Sequence, residues 1–255
     1  MSKNPFDMTG KVVLITGAGS GLGRRFAMTL ARQNALIIAC GRRMSLLEET
    51  VRDIETEGGS ARALTLDVSN SASVSTAFET IEEIGRLDTL INNAGTISGP
   101  LLLDLEEELW DTVLDVNLKG AWLVARAAAR MMKEQDDGGS IINISSIVAE
   151  SVQKGTGAYA AAKAGLSHLT RAMALEWARY NIRVNALAPG YFNTDISRDY
   201  LESPHGKELL RRIPQRRTGE LDDLDGPIQL LATDLSRYMT GSVITVDGGL
   251  GLSII

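Results

Sequence analysis

The stretch Val12-Val-Leu-Ile-Thr-Gly-Ala-Gly-Ser-Gly-Leu-Gly23 decides the fold. It begins as an apolar, β-branched run typical of a buried strand, and it continues into a glycine-rich turn that opens a helix. Glycines at such a turn let the backbone approach a ligand closely, and the first amide groups of the helix then face an anion such as a pyrophosphate. The spacing, Gly17-x-x-x-Gly21-x-Gly23, differs from the Gly-x-Gly-x-x-Gly of many dinucleotide-binding folds. The residues expected to contact a dinucleotide here are Gly17, Gly19, Ser20, Gly21, Leu22 and Gly23.

Short aliphatic runs alternate with longer amphipathic stretches along the rest of the chain. Apolar strands separated by helices are typical of a parallel sheet that is covered on both faces. We therefore predict an α/β fold over residues 1–255, a single-domain, doubly wound, Rossmann-like parallel sheet of seven strands. The predicted strands are Val12–Thr16, Leu36–Cys40, Arg62–Leu66, Leu87–Ile91, Ser140–Ser145, Arg183–Leu187 and Ser242–Val246. The predicted helices include Gly21–Gln33, Ser45–Glu57, Ser73–Ile84 and Glu106–Met132.

Composition excludes several classes of function. The net charge of −6 argues against a nucleic-acid partner and against an anionic membrane surface, because either needs a basic patch. Cys40 is the only cysteine, which excludes an intramolecular disulfide and a cysteine metal cluster, and we predict no metal site. No apolar stretch approaches the roughly 18 residues that span a bilayer, and the N-terminus lacks a signal-peptide core. We expect a soluble, cytoplasmic protein.

The end of the second predicted strand, Cys40-Gly-Arg-Arg43, bears on the choice of dinucleotide. An acidic residue at this place would hold the 2′-hydroxyl of a ribose, and none is present. Arg42 and Arg43 can instead pair with a 2′-phosphate, so NADP is favoured over NAD. The alternative is a pair of solvated arginines that open the next helix. Asp67 and Val68, at the end of the third strand, are placed by position to meet the adenine.

Tyr159 and Lys163 lie four residues apart in an alanine-rich run that favours a helix, so their side chains share one face. A phenol has a pKa of about 10, and a nearby ammonium group favours the phenolate and lowers that value. The pair could therefore transfer a proton near neutral pH. On spacing alone, a packed aromatic side chain beside a solvated lysine is the favoured interpretation.

Several motifs in order resemble the short-chain dehydrogenase/reductase family, in its single-domain form of roughly 250 residues. The resemblance covers Thr9 to Gly249, and its ending is similar to the ketoacyl-reductase and sugar or polyol dehydrogenase branches. The motifs are Thr16-Gly-x-x-x-Gly-x-Gly23, Asn92-Asn-Ala-Gly95, Asn117, Ser146, Tyr159-x-x-x-Lys163, Pro189-Gly190 and the ending Thr240-Gly-Ser-Val-Ile-Thr-Val-Asp-Gly-Gly249.

The resemblance implies a catalytic set. Tyr159 would be the general acid in carbonyl reduction and the general base in alcohol oxidation. Lys163 would lower the pKa of Tyr159 and bind the nicotinamide ribose. Ser146 would hydrogen-bond the substrate oxygen, and it is preferred over the adjacent Ser145 because strand alternation sends Ser145 to the other face. Asn117 would hold a water molecule that links Lys163 to solvent, although an asparagine that caps or kinks a helix is the alternative.

The resemblance also implies further cofactor contacts. Asn93, Ala94 and Gly95 would line the cofactor together with Pro189 and Gly190, and Thr194 would reach the nicotinamide carboxamide. Ser20 is a departure, since NADP-preferring members often carry a basic residue inside the glycine-rich turn. The residues that flank the expected substrate pocket are Ile147, Val148, Gln153, Tyr191 and Phe192, with His205 as a further substrate contact.

The predicted function is an NAD(P)-dependent oxidoreductase that acts on the carbonyl or secondary alcohol of a small molecule. The alternatives are a catalytically silent dinucleotide-binding regulator and a lyase or isomerase on the same scaffold. Residues 190–219 are interpreted as a substrate lid or as a surface excursion. By analogy with the family we expect a homotetramer, with a dimer as the alternative. The sequence does not identify the substrate.

Overall fold

The computed structural model describes residues 4–97, 99–193 and 204–252, and a seven-stranded parallel sheet runs through its centre. The strands are β1 (Val12–Thr16), β2 (Leu36–Gly41), β3 (Ser60–Thr65), β4 (Thr89–Asn92), β5 (Gly139–Ile144), β6 (Ile182–Pro189) and β7 (Val243–Val246). Their order in the sheet is β3-β2-β1-β4-β5-β6-β7. This confirms the predicted fold class, and each predicted strand lies within a few residues of an observed one.

Helices cover both faces of the sheet. In the described part of the chain they are α1 (Gly21–Ala31), α2 (Met44–Thr56), α3 (Ser71–Glu82), α4 (Glu107–Leu114), α5 (Ala121–Lys133), α6 (Gly157–Trp177), α7 (Pro204–Arg212) and α8 (Asp225–Ala232). Strand alternation sends Val12 and Leu14 of β1 into a core with α3, α5 and α6. Val13 and Ile15 face the opposite core, which α1, α2 and α8 complete.

The predicted helix Glu106–Met132 is interrupted, and this corrects the sequence expectation. A π-helix at Asp115–Gly120 separates α4 from α5. A Cβ atom added to Gly120 would lie 2.9 Å from the backbone oxygen of Val68, so the chain passes close to the end of the third strand here. Insertions of this kind widen a helix by one residue and frequently occur at functional sites.

Parallel pairing places the carboxyl ends of four strands at one edge of the sheet. The chain reverses its direction of winding between β1 and β4, which are neighbours although two strands intervene in sequence. Open α/β sheets bind ligands in the crevice at such a point. The glycine-rich turn follows β1, Asn93 follows β4, Ser146 follows β5 and Gly190 follows β6, so the predicted site residues meet at this edge.

The ends of the segment 190–219 are joined. Phe192 forms a parallel bridge with Gly219, and Gly219 N donates to Tyr191 O at 2.9 Å. Helix α7 lies between these ends, while residues 194–203 lie outside the described residues. A role for this segment as a lid, and the organisation of residues 1–255 as one domain, stay predictions. No described helix is long and apolar enough to cross a membrane.

The opposite edge of the sheet is held by a buried carboxylate. Asp88, just before β4, accepts hydrogen bonds from Val12 N at 2.9 Å, Arg86 Nε at 2.8 Å and Lys11 Nζ at 3.0 Å. Burial raises the pKa of Asp88, but the hydrogen bonds from Arg86, Val12 and Lys11 outweigh that rise, and the net pKa is lowered. The carboxylate therefore ties β1 to β4, the two strands between which the site lies.

We expect Asp88→Asn to lower the free energy of unfolding by about 2 kcal/mol, because it removes the charge that these buried and half-buried donors share. Because the folded pKa is depressed, this stabilisation is present above the unfolded pKa of about 3.9 and disappears as pH falls through the folded value. Urea unfolding of both proteins at pH 7 and near pH 3 measures the difference. Asp137→Asn is the control, since Asp137 contacts the same two cations but is exposed, and we expect it to cost about 0.5 kcal/mol or less. Equal losses for the two variants would contradict this account.

Candidate active site

The glycine-rich turn after β1 leaves no room for a side chain at Gly17 or Gly23. Gly17 and Gly21 have φ angles of +67° and +52°, a conformation that favours glycine. A Cβ atom on Gly23 would lie 2.3 Å from Gly17 O and 2.5 Å from the Asn93 amide nitrogen. The turn is also joined to β2, because Ala18 N donates to Cys40 O at 3.1 Å. The turn is therefore a rigid cradle of backbone amides.

The N-terminus of α1 fits an anion. Ser20 occupies the N-cap position without a side-chain cap, and the first turn carries no acidic residue. Its leading amide groups therefore lack a side-chain partner among the described residues, and the helix dipole favours negative charge there. A pyrophosphate is the group that such a turn accepts, so the residues present fit a dinucleotide.

Asn93 holds this turn in place. Its amide group donates to Thr16 O at 3.0 Å and to Gly17 O at 3.3 Å. The buried hydroxyl of Thr16 in turn accepts from the backbone nitrogens of Asn93 and Ala94, each at 3.0 Å. Asn93 thus contributes mainly as a brace between β1 and β4. Sequence reasoning did not assign Thr16 a role in the site, although it begins the first motif.

The end of β2 carries two available cations. Arg42 and Arg43 are exposed, and neither side chain makes an ion pair or hydrogen bond with the residues that the structure describes. At the end of β3, Oδ1 of Asp67 accepts from Ser69 N at 3.0 Å and from Ser69 Oγ at 2.7 Å. One carboxylate oxygen of Asp67 is therefore used by its own turn, and Val68 beside it is buried.

Ser146 and Tyr159 meet at the carboxyl end of β5. Tyr159 lies in the first turn of α6, and the Ser146 side chain is close enough to its phenol to lower the pKa of that group. The Ser146 hydroxyl also accepts from Val148 N at 3.3 Å. The adjacent Ser145 faces the other way, where its hydroxyl lies 2.7 Å from that of Ser167. Of the two serines, only Ser146 is placed beside the phenol.

Lys163 is buried one turn beyond Tyr159, and its Nζ atom donates to Ile144 O at 2.7 Å. That atom lies 5.5 Å from the centroid of the Tyr159 ring. Burial lowers the pKa of Lys163 from 10.5 to about 8. The ammonium group is therefore stabilised mainly by a strand carbonyl.

The direction of the Tyr159 pKa shift corrects the sequence expectation. Burial raises the pKa of Tyr159, and the neighbouring Ser146 hydroxyl offsets only part of that rise. Lys163 does not lower it in this structure, because its Nζ atom bonds to Ile144 O. The phenol is thus held in its protonated form at neutral pH.

Asn117 lies in the π-helix and is completely buried. Its Nδ2 atom donates to Thr96 O at 2.7 Å and to Val113 O at 2.9 Å. A Cβ atom on Gly95 would lie 2.8 Å from Asn117 Oδ1 and 3.8 Å from Lys163 Nζ. Gly95, Asn117 and Lys163 therefore converge, and the absent side chain of Gly95 leaves room between them. The expected water path through Asn117 stays a prediction.

Comparisons with known proteins show which family this chain resembles along its length. The model of the family described as "Enoyl-(Acyl carrier protein) reductase" matches residues 17–251. A 2-dehydro-3-deoxy-D-gluconate 5-dehydrogenase from Dickeya dadantii is 37% identical over 253 residues, covering 98% of each chain. A 3-oxoacyl-(acyl-carrier-protein) reductase from Thermotoga maritima is 38% identical over 244 residues, covering 95% of this chain and 98% of the relative.

A solved structure with the same fold is a gluconate 5-dehydrogenase from Burkholderia cenocepacia in complex with NADP and tartrate. It is 36% identical, covers 98% of both chains and has a TM-score of 0.94. The chain belongs to the short-chain dehydrogenase/reductase family. As a short-chain dehydrogenase/reductase it is an oxidoreductase with NAD(P)-dependent relatives. The individual site residues stay predictions.

On the substrate side of this short-chain dehydrogenase/reductase, a hydrogen bond from Tyr191 to Gln153 Oε1 joins the segment after β6 to the loop before α6. Pro189 is buried, and Gly190 N donates to Val246 O at 2.9 Å. Thr194 lies outside the described residues, and His205 lies in α7. A cavity of about 350 Å³ adjoins Tyr191, but none of the four predicted catalytic residues lines it. The predicted chemistry at Tyr159 thus lies outside this cavity.

We expect Gly23→Ala to weaken NADPH binding more than about tenfold and to lower the free energy of unfolding by about 1–3 kcal/mol, because the new methyl group would overlap a backbone oxygen. NADPH fluorescence titration and thermal unfolding measure the two effects. Gly226→Ala is the matched control, since nothing lies within 4 Å of a Cβ atom there. Unchanged NADPH affinity in Gly23→Ala would show that the turn does not bind the dinucleotide.

Proposed function

We propose that this protein is an NADP-preferring oxidoreductase that transfers a hydride between nicotinamide and the carbonyl or secondary alcohol of a small molecule. The observation that carries the proposal is the arrangement at the end of β5. A buried phenol there lies beside Ser146 and one helical turn from the buried Lys163. The dinucleotide cradle after β1 lies at the same edge of the sheet.

Tyr159 acts as the proton donor in reduction. Its raised pKa keeps the phenol protonated at neutral pH, so the proton that a general acid transfers is present. When bound, nicotinamide supplies the hydride that forms the new C–H bond. The carbonyl π electrons go to oxygen, which takes its proton from Tyr159. Ser146 donates to the same oxygen as negative charge develops on it. In oxidation the same groups act in reverse.

Lys163 binds the nicotinamide ribose. An ammonium group has three donors, and among the described residues only Ile144 O accepts from it. Two donors therefore stay available for ribose hydroxyls and for a water molecule held near Asn117. A pKa of about 8 leaves the group charged at neutral pH, so its proton can replace the one that Tyr159 gives up.

Arg42 and Arg43 select NADP. Both are exposed at the end of β2 without an ion pair in the described chain, and guanidinium groups bind a 2′-phosphate well. The Burkholderia cenocepacia relative has NADP bound. Because position 20 of the glycine-rich turn is a serine and not a basic residue, the two arginines are the groups that select NADP over NAD.

The substrate is a small carbonyl compound of the ketone, ketoacyl, sugar or polyol type, which the names of the relatives span. A panel of sugar acids, polyols and β-ketoacyl thioesters, followed by NADPH absorbance at 340 nm, identifies it. Net NADPH consumption supports an oxidoreductase. Turnover without any change in absorbance would instead favour a lyase or isomerase.

The protein assembles as a homotetramer in the cytoplasm. Trp110 of α4 and Trp122 of α5 are 39% and 37% exposed, and Leu175 of α6 is 83% exposed. Val124 lies inside the core and is not available to a partner. Light scattering at micromolar concentration tests the assembly, and a monomer would contradict it.

Tyr159→Phe should lower kcat at least about 100-fold and leave NADPH affinity within about twofold, because it removes only the transferred proton. Steady-state kinetics with the best panel substrate and NADPH fluorescence titration provide the measurements. Tyr238→Phe is the control, since Tyr238 is fully exposed, and it should behave as the wild type. Near-normal turnover in Tyr159→Phe would remove Tyr159 from its role.

Arg42→Ala should weaken NADPH binding about tenfold or more and change NADH binding less than about twofold, because only NADPH carries the 2′-phosphate. Arg52→Ala, which removes an exposed arginine from the same side of the sheet, controls for the loss of charge. Fluorescence titration with both dinucleotides decides the matter. Equal losses for NADPH and NADH would indicate a structural arginine.

A further inference from the structure

Helix α6 is joined to strand β5 by a row of buried polar contacts in addition to apolar packing. Three consecutive strand residues each make a hydrogen bond to the helix. We call these contacts the polar seam, and its pairs are Asn143 with Thr170, Ile144 with Lys163 and Ser145 with Ser167.

The contacts of the polar seam are hydrogen bonds that are buried away from water. Asn143 Nδ2 donates to Thr170 Oγ1 at 2.8 Å, and the hydroxyls of Ser145 and Ser167 lie 2.7 Å apart. Ser145 also donates to Lys163 O at 3.2 Å. All five of these side chains are at least nine-tenths buried. Water therefore offers them no alternative partners. Loss of the Thr170 hydroxyl would deprive Asn143 Nδ2 of this acceptor, whereas Ser145 would keep its bond to Lys163 O if Ser167 lost its hydroxyl.

The seam follows the geometry of both elements. Asn143 and Ser145 point to the same face of the sheet because side chains alternate along a strand, and Ile144 contributes its carbonyl instead. Positions 163, 167 and 170 have the i, i+4, i+7 spacing of one helical face. A slide of α6 by one residue, about 1.5 Å, would break every pair at once. Apolar packing tolerates such a slide better than directional hydrogen bonds do.

The two hydroxyls of the proposed reaction lie at the ends of this seam. Ser146 directly follows Ser145, and Tyr159 precedes Lys163 by one helical turn. The register of α6 on β5 therefore fixes where the phenol stands relative to Ser146. Even an error of about 1 Å in such a distance lowers a rate substantially.

We propose that Ser167 and Thr170, with their partners Ser145 and Asn143, are positioning residues that hold the Tyr159 hydroxyl against Ser146. This inference rests on the proposed function and deepens it. None of the four contacts substrate or cofactor in this role; they act through the placement of α6.

The test compares three buried hydroxyls. Ser167→Ala and Thr170→Val each remove one from the seam with little change in volume, and Thr170→Ser restores one. Ser140→Ala is the matched control, because Ser140 also carries a buried hydroxyl of β5 but donates to Leu231 O of α8, at 2.8 Å. The thermal stability of each of the four variants reports how much its substitution weakens the fold. This structural cost can then be compared with the change in kcat.

We expect Ser167→Ala and Thr170→Val to lower kcat about tenfold or more while the KM for NADPH changes less than about threefold. Thr170→Ser should recover most of the rate. Ser140→Ala should keep kcat within about twofold even where its melting temperature falls as far as that of the seam variants. A kcat loss that only tracks stability across all variants would overturn the proposal.

A second measurement needs no turnover. The ultraviolet titration of each protein, minus that of its Tyr159→Phe counterpart, isolates the ionisation of Tyr159 among the five tyrosines. Loss of the Ser146 contact should raise its midpoint by about half a pH unit or more in Ser167→Ala and Thr170→Val, and not in Ser140→Ala. Unshifted midpoints would overturn the proposal. If the wild type turns over no panel substrate, the proposed function is refuted but the positioning role of the polar seam is not. The titration still tests that role, because it does not require turnover.

Discussion

Parallel pairing of β1, β4, β5 and β6 is the constraint on which the rest of the structure depends. This pairing brings the carboxyl ends of the four strands to one edge of the sheet, so that residues far apart in sequence become neighbours there. The glycine-rich turn, the Asn93 brace, Ser146 and Gly190 each follow one of these strands. A slip of one residue in any pair would turn side chains to the wrong face. Asp88 at the opposite edge, bonded to both β1 and its own strand region, opposes such a slip.

Burial of Tyr159 and Lys163 is the second constraint on the site, because it shifts the pKa values of both side chains. It raises the pKa of Tyr159 and lowers that of Lys163 to about 8, so the two values move apart. The phenol therefore stays protonated at neutral pH, while the proton of the lysine is the more easily released of the two. Burial thus sets the order in which the two groups ionise, with Ser146 beside the phenol and Ile144 O bonded to the ammonium group.

Much of the fold and of the site could be predicted from the sequence, because the signals are local. The apolar strands, the turn at Gly17–Gly23 and the face that Ser145 takes all follow from spacing and alternation. The π-helix at Asp115–Gly120 could not be predicted in this way, because its apolar pattern continues that of the helices on either side. The direction of the Tyr159 pKa shift depends on burial and on the bond from Lys163 to Ile144 O, which neighbouring residues in sequence do not reveal. The two amides that bond to Thr16 are also tertiary contacts.

The most direct test of hydride transfer follows the hydrogen atom that passes from nicotinamide to the substrate. With NADPH deuterated at the transferring position of the nicotinamide and a carbonyl substrate from the panel, mass spectrometry locates the label in the product. The account predicts one deuterium per product molecule, on the carbon that bears the new hydroxyl, and a hydroxyl proton drawn from solvent through Tyr159. Product that forms without deuterium on that carbon would contradict hydride transfer and with it the proposed function.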